Sequence, residues 1–189
     1  ITGLLYKMRG YGYSEAMTRL ISSYLGDRSF RVRIGQVLSE LGNPEAGVPQ
    51  GAVLSPLLYT IYTADVPRTP GTLMSLYADD TAIAAKHRNV DIAVTNLQTA
   101  LQEIEEWSIK WKIAINSEKT QAVLYKKGRQ QPKEQLTVQN TPIEWKNEAK
   151  YLGVIMDKGL TFQKHVEATV HKANIAKSTL RGLTGRKAK

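Results

Sequence analysis

The sequence predicts an α+β fold with helices on one face of an antiparallel sheet. Three observations lead there. Runs with apolar residues at helical spacing alternate along the chain with short stretches rich in β-branched and aromatic residues. Several of those short stretches are split by turn-forming residues, the mark of hairpins and so of antiparallel pairing. The resulting order is helix, hairpin, helix, hairpin, helix, strands, helix, which suits helices packed on a sheet of neighbouring strands.

Each element has its own signal. Ser14 opens a helix in which Met17, Leu20, Ile21, Tyr24 and Leu25 recur at helical spacing, and Gly26 stops it. "SFRVRIGQVLSEL" alternates Phe30, Val32 and Ile34 with Arg31 and Arg33, and Gly35-Gln36 is a two-residue turn into a second strand. "GVPQG" is loop. In "SPLLYTIYTA" Ser55 is the expected N-cap and Pro56 the first helical residue, with Leu58, Ile61 and Tyr62 on one side. "LMSLYA" and "TAIAA" are short apolar strands with Asp79-Asp80 at the turn between them. Asn89 caps a long helix carrying Val94, Leu97, Leu101, Ile104, Trp107 and Trp111. "TQAVLY" reads as a strand and "KKGRQQPKEQ" as a polar, basic loop. "LTVQNTPIEW" and "KYLGVIM" supply three more strands, the first two a hairpin around Asn140-Thr141. Thr161 opens a last helix with Val166, Val170, Ala173, Leu180 and Leu183. No repeat period and no long linker is visible.

The chain has 189 residues, 42% of them hydrophobic, enough for a core of one domain or of one domain and part of another. It has no cysteine, which excludes a disulfide framework and a thiolate metal site. No apolar stretch is long enough to span a membrane and the start does not read as a signal peptide, so a soluble, intracellular protein is expected. The net charge of +9 is unevenly placed: residues 1–100 hold 9 Lys/Arg against 8 Asp/Glu, and residues 101–189 hold 17 against 9. Such a surplus suits a polyanionic partner, nucleic acid before a membrane surface, and equally a solvated helix end.

The Asp79-Asp80 pair asks for an explanation. Adjacent carboxylates repel, and inside an apolar hairpin that repulsion is costly unless a cation cancels it. Mg²⁺ is held by one or two carboxylates with substrate phosphates filling other positions. A hairpin presents carboxylates at a fixed point with coordination positions open. Asp also favours turns for its own reasons, so the pair alone leaves both explanations standing.

Its company is more specific. "LLYKM", "SYLGDRSFRVRI", "GVPQGAVLSPLLYTIY", "YADD", "NSEKT", "KYLGV" and "LTFQKHV" follow in order along nearly the whole chain. The series resembles the reverse transcriptases of non-LTR (LINE-type) retrotransposons, most closely the jockey-like group of insects. The resemblance implies a polymerase palm-type antiparallel sheet with helices on one face over residues 1–160, followed by the start of a helical thumb over 161–189. It implies template-directed addition of deoxynucleotides to a primer 3′-OH by two-metal phosphoryl transfer. Asp79 would be the direct ligand of Mg²⁺ (or Mn²⁺) and Asp80 a weaker or second-metal ligand. Lys119 would neutralise or protonate the leaving pyrophosphate, as a cation beside developing polyphosphate charge can. A solvated Lys beside a strand is the plain alternative. Pro49, Gln50 and Gly51 would hold template and incoming nucleotide, where glycines permit close approach and proline stiffens the loop. Tyr77 and Ala78 would line the floor under the primer end. Tyr151, Leu152 and Gly153 would belong to the primer grip, and Lys172, Lys177 and Arg181 would track the nucleic-acid backbone. The implied partners are an RNA template, a DNA primer and deoxynucleoside triphosphates, with no membrane. The implied location is the nucleus during integration and the cytoplasm otherwise. The oligomeric state is not implied.

The family pattern also carries a third carboxylate on a strand before "LLYKM", whereas here "LLYKM" begins at residue 4 and no Asp or Glu precedes Glu15. The expectation is therefore a fragment, with the fingers and first catalytic strand missing, a sheet edge left open and no synthesis by the isolated chain. Two other readings compete. One is a non-catalytic nucleic-acid-binding module derived from a retroelement. The other is an unrelated metal-dependent phosphoryl-transfer enzyme. Asp79, Gln50-Gly51 and Lys119 are expected to converge on one cleft if the polymerase roles hold.

Overall fold

The computed structural model describes residues 1–44, 46–126 and 132–184. The chain divides into two compact units, Ile1–Val66 and Pro67–Lys189. The first is mainly helical. Helix α1, Thr2–Gly10, turns Leu4 and Met8 inward at i, i+4 spacing. It was not expected from the sequence, because no capping residue or acidic first turn marks its start. Helix α2, Glu15–Leu25, begins as expected at Ser14, whose hydroxyl accepts from the Met17 amide at 3.2 Å, and ends at Gly26. Its buried side is Thr18, Ile21 and Leu25, while Met17 and Leu20 of the expected apolar stripe are exposed.

Strands β1, Arg33–Ile34, and β2, Val37–Leu38, pair antiparallel around Gly35-Gln36, with Ile34 opposite Val37. The ribbon is shorter than the alternation suggested, and Phe30 and Gly42 make one further bridge. Helix α3, Ser55–Thr63, has Leu54 rather than Ser55 at its N-cap. The Ser55 hydroxyl instead donates to the Pro49 carbonyl, so it ties the preceding loop and caps no amide. Helix α1 packs on α2 and α3, closing a core of Leu4, Met8, Ile21, Leu25, Leu58 and Ile61.

The second unit is mixed. Strands β3, Thr72–Tyr77, and β4, Asp80–Ala85, form the longest ladder, in register Tyr77↔Asp80, Met74↔Ile83 and Thr72↔Ala85. Helix α4, Val90–Trp111, is capped as expected by Asn89, which accepts from the Asp91 amide at 2.9 Å. Strand β5 is only Ala122–Val123. It pairs in parallel with β8, Trp145–Lys146. Strands β6, Thr137–Val138, and β7, Thr141–Pro142, form a hairpin. Its turn is Gln139-Asn140, one residue earlier than expected, because both carry positive φ (50° and 59°) as a type I′ loop requires. "KYLGVIM" is not one strand. It is two, β9, Glu148–Tyr151, and β10, Val154–Asp157, folded about Leu152-Gly153 with φ of 46° and 84°. Helix α5, Gln163–Thr184, packs against β10. Its expected apolar positions Val166, Val170 and Leu180 are exposed. The Leu183 side chain and residues 127–131 of the basic loop lie outside the described residues.

The α+β class holds, but the expected continuous antiparallel sheet does not form among the described residues, where every ladder is two-stranded. Part of the reason is that helix side chains occupy a strand edge. The Gln98 amide accepts from the Thr137 N–H at 2.8 Å and donates to its carbonyl at 3.1 Å, and Glu105 accepts from the Gln139 amide at 2.6 Å. These bonds use groups that another strand would need. The core of this unit gathers Val90 and Val94 of α4 with Ala122, Leu136, Val138 and Ile143.

Candidate active site

The β3–β4 hairpin turns through Ala78-Asp79, with Ala78 at φ 49°. Only the first loop residue has positive φ, the pattern of a type II′ connection, whose twist matches the strands it joins. Asp79 therefore sits in the loop and Asp80 opens β4 opposite Tyr77. Strand alternation assigns the two faces. Thr72, Met74, Ile83 and Ala85 are half-buried on the side covered by α4. Leu73, Ser75, Tyr77 and Asp80 share the other face and are exposed.

Both carboxylates are exposed. This corrects the reading of the pair as enclosed in an apolar hairpin. The hairpin is a ladder of its own, and the helix cover ends before the tip, as the 42% exposure of Leu76 and 65% of Tyr77 make plain. Water can then solvate the two like charges, so a cation is not needed merely to tolerate them. What the tip offers is two acidic groups within one turn with open positions around them, which suits Mg²⁺ and its phosphate ligands. Among the described residues no group of three or more His, Asp or Glu side chains is placed to enclose a metal.

The other expected residues fall as follows. Tyr151, at the end of β9, donates its hydroxyl to Ser75 Oγ at 3.1 Å, joining the β9–β10 hairpin to the exposed face of β3. Leu152 and Gly153 form the tip of that hairpin. Lys119 ends a 3-10 turn, Ser117–Lys119, whose cap Asn116 accepts from the Lys119 amide at 3.0 Å. Its side chain is exposed, and no hydrogen bond or ion pair joins it to Asp79 or Asp80 among the described residues. Pro49, Gln50 and Gly51 belong to the first unit. Val48 packs on that unit's core, Pro49 accepts from Ser55, and Gln50 and Gly51 are left exposed with Gly51 at φ 80°. Lys177 and Arg181 are one turn apart on α5, whereas Lys172 lies about 140° round the helix from Lys177. The three do not share a face.

Two participants were missed in the sequence. Ser75 breaks the run of large residues on the outer face of β3, between Leu73 and Tyr77, and that break was the available signal. Asp157 accepts four hydrogen bonds, from the amides of Gly159, Thr161 and Phe162 and from the Thr161 hydroxyl, and so shapes the entry to α5. Burial acts upward on its pKa, but these bonds outweigh that and hold the carboxyl below its ordinary value.

Fold and site together define a class: an α+β domain offering paired carboxylates at an exposed turn, a donor set suited to a divalent cation and its phosphate ligands. The reverse transcriptase (RNA-dependent DNA polymerase) family matches residues 3–156, and the chain belongs to that family. A probable RNA-directed DNA polymerase from transposon X-element of Drosophila melanogaster is 38% identical over 165 residues, 84% of this chain and 18% of that protein. The RNA-directed DNA polymerase from mobile element jockey of Drosophila funebris is 36% identical over 178 residues, 89% of this chain and 19% of that protein. A probable RNA-directed DNA polymerase from transposon BS of Drosophila melanogaster is 33% identical over 177 residues, 89% of this chain and 20% of that protein. The chain thus spans about a fifth of the length of the curated relatives it matches. No solved structure matches it.

Proposed function

We propose that this chain is part of the RNA-directed DNA polymerase of a non-LTR retrotransposon, covering most of the palm, residues 1–160, and the root of the thumb, residues 161–189. The observation that carries the reading is the Asp79-Asp80 pair at an exposed hairpin tip in a chain of the reverse transcriptase family. Asp79 and Asp80 would hold Mg²⁺ or Mn²⁺, which when bound supplies charge stabilisation on the transferring phosphoryl group. Gln50 and Gly51 receive template and nucleotide, the exposed Gln50 amide serving as donor and acceptor. Tyr77 and Ala78 form the floor under the primer end. Tyr151, Leu152 and Gly153 steady the primer, and Lys119 offsets charge on the departing pyrophosphate. Lys177, Arg181 and Lys172 meet backbone phosphates.

Two-metal transfer uses carboxylates that bridge both ions. The described residues bring two together, so the isolated chain is expected to bind primer–template without extending it. The test measures deoxynucleotide incorporation on an RNA template with a DNA primer in Mg²⁺, by the complete polymerase carrying this segment. Asp79→Asn should abolish incorporation and leave duplex binding intact. Full activity in Asp79→Asn would overturn the reading.

A further inference from the structure

The loop that begins at Gly47 is tied down at three points short of its apex. Val48 is packed on the first core. The Pro49 carbonyl accepts from Ser55. The third tie is Arg28, nineteen residues before Gly47 in the chain. Its Nε donates to the Leu25 carbonyl at 3.1 Å and its Nη2 to the Gly47 carbonyl at 2.8 Å. Leu25 is the buried last residue of α2, 2% exposed, so its carbonyl is a fixed point of the core. One planar fork therefore joins a helix end, where carbonyls lack intrahelical partners, to the first residue of the loop.

We propose that Arg28 is the positioning residue of the 47–51 loop: it sets the height and direction from which Gln50 and Gly51 meet nucleotide and template. The proposal rests on the polymerase reading of that loop. It requires the guanidinium specifically. Gly47 is at φ 88° and Gly51 at φ 80°, and an added Cβ at either would meet nothing within 4 Å. No neighbour fills the space beside these glycines; the Ala52 amide closes the turn onto the Pro49 carbonyl at 3.4 Å, and the direction in which that turn stands depends on the ties at its base. A lysine ammonium is a compact charge on a flexible stem and does not reproduce a fork with fixed donor directions.

The test has two arms, with Arg28→Lys and Arg28→Met in each. In this chain, amide hydrogen exchange across residues 50–55 should quicken about tenfold in Arg28→Met, the loss of one charge-assisted hydrogen bond, while Ile21 and Leu25 keep their protection. Arg28→Lys should recover little of it. Unchanged loop exchange, or equal loosening of α2, would overturn the proposal. In the complete polymerase, the KM for deoxynucleotide should rise about tenfold while kcat stays within about threefold. A loosened loop with unchanged KM would overturn the positioning role. If the unaltered enzyme incorporates no nucleotide, the polymerase reading fails, and the exchange arm still decides whether Arg28 holds the loop.

Discussion

Lys7 is the most demanding single residue in the molecule. It is 3% exposed, yet its ammonium pairs with Asp65, donates to the Tyr62 carbonyl and lies 4.7 Å from the centre of the Tyr62 ring. Burial, and then the Asp65 carboxylate, also raises the Tyr62 phenol above its ordinary pKa. A buried pair of this kind is costly to break from one side, because the remaining charge has lost its partner in a dry place. Asp65→Ala should therefore destabilise the first unit by about 3 kcal/mol, the low end for such pairs because the Asp65 side chain is 35% exposed. Lys7→Met with Asp65→Leu should recover most of that, since an apolar pair leaves no stranded charge. Urea unfolding followed at the tyrosines measures both. None of this was legible in the sequence. A lysine between Leu5 and Met8 reads as a side chain reaching for solvent, and nothing local names a partner 58 residues away. The β3–β4 turn was legible to within one residue, Ala78-Asp79 in place of Asp79-Asp80, for the opposite reason: strand, two-residue loop and strand are contiguous, so local pattern marks them. What escaped was its environment, because burial of a hairpin depends on which other elements reach it.

Among the elements, the β9–β10 hairpin sets stability against use. Leu152 has φ 46° and is 45% exposed, so a branched residue adopts a left-handed conformation without being packed in compensation. That costs roughly 1 kcal/mol relative to residues that visit this region readily. Leu152→Asn should accordingly stabilise the second unit by about 0.5–1 kcal/mol, read as a higher thermal midpoint. If the tip steadies a primer, the same change should weaken primer–template affinity, and improved stability with unchanged affinity would remove Leu152 from the grip. The missed turn has a physical origin here. Leucine carries no turn signal, and only Gly153 marked the bend. Further along, the Asp157 carboxylate organises the entry to α5. Its folded pKa is depressed, so its contribution to stability is fully present above the ordinary value of 3.8 and is lost as pH falls through the lower folded value. Asp157→Asn keeps a single acceptor oxygen for a site that uses two, with two bonds on each. It should loosen the first turn of α5 at neutral pH and flatten the acid limb of the melting curve below about pH 4. An unchanged acid limb would show that the hydrogen bonds contribute nothing to folding.

At the scale of the whole molecule the charge is the governing quantity. Residues 101–189 hold a surplus of eight positive charges, 17 against 9, and residues 1–100 a surplus of one. Binding carried by phosphate neutralisation releases condensed counterions, so log K should fall steeply and linearly with log salt concentration. Each lost phosphate contact lowers that slope by about 1. Lys177 and Arg181 stand one turn apart on α5 and can meet neighbouring phosphates together, while Lys172 points about 140° away from Lys177 and belongs to a different approach. Lys177→Ala with Arg181→Ala should therefore lower the slope by about 2, and Lys172→Ala should add less than 1 on the same duplex. Asp79→Asn with Asp80→Asn should act in the other direction. The pair is exposed, and if the polymerase reading holds, removing its two negative charges should leave affinity equal or higher without altering the count of cations engaged. Titration of an RNA–DNA primer–template at several salt concentrations measures all of these. A slope near zero for the unaltered chain would discard the electrostatic account. A slope that drops as much for Lys172 alone as for the Lys177 and Arg181 pair would mean that the nucleic acid wraps α5 rather than lying along one side.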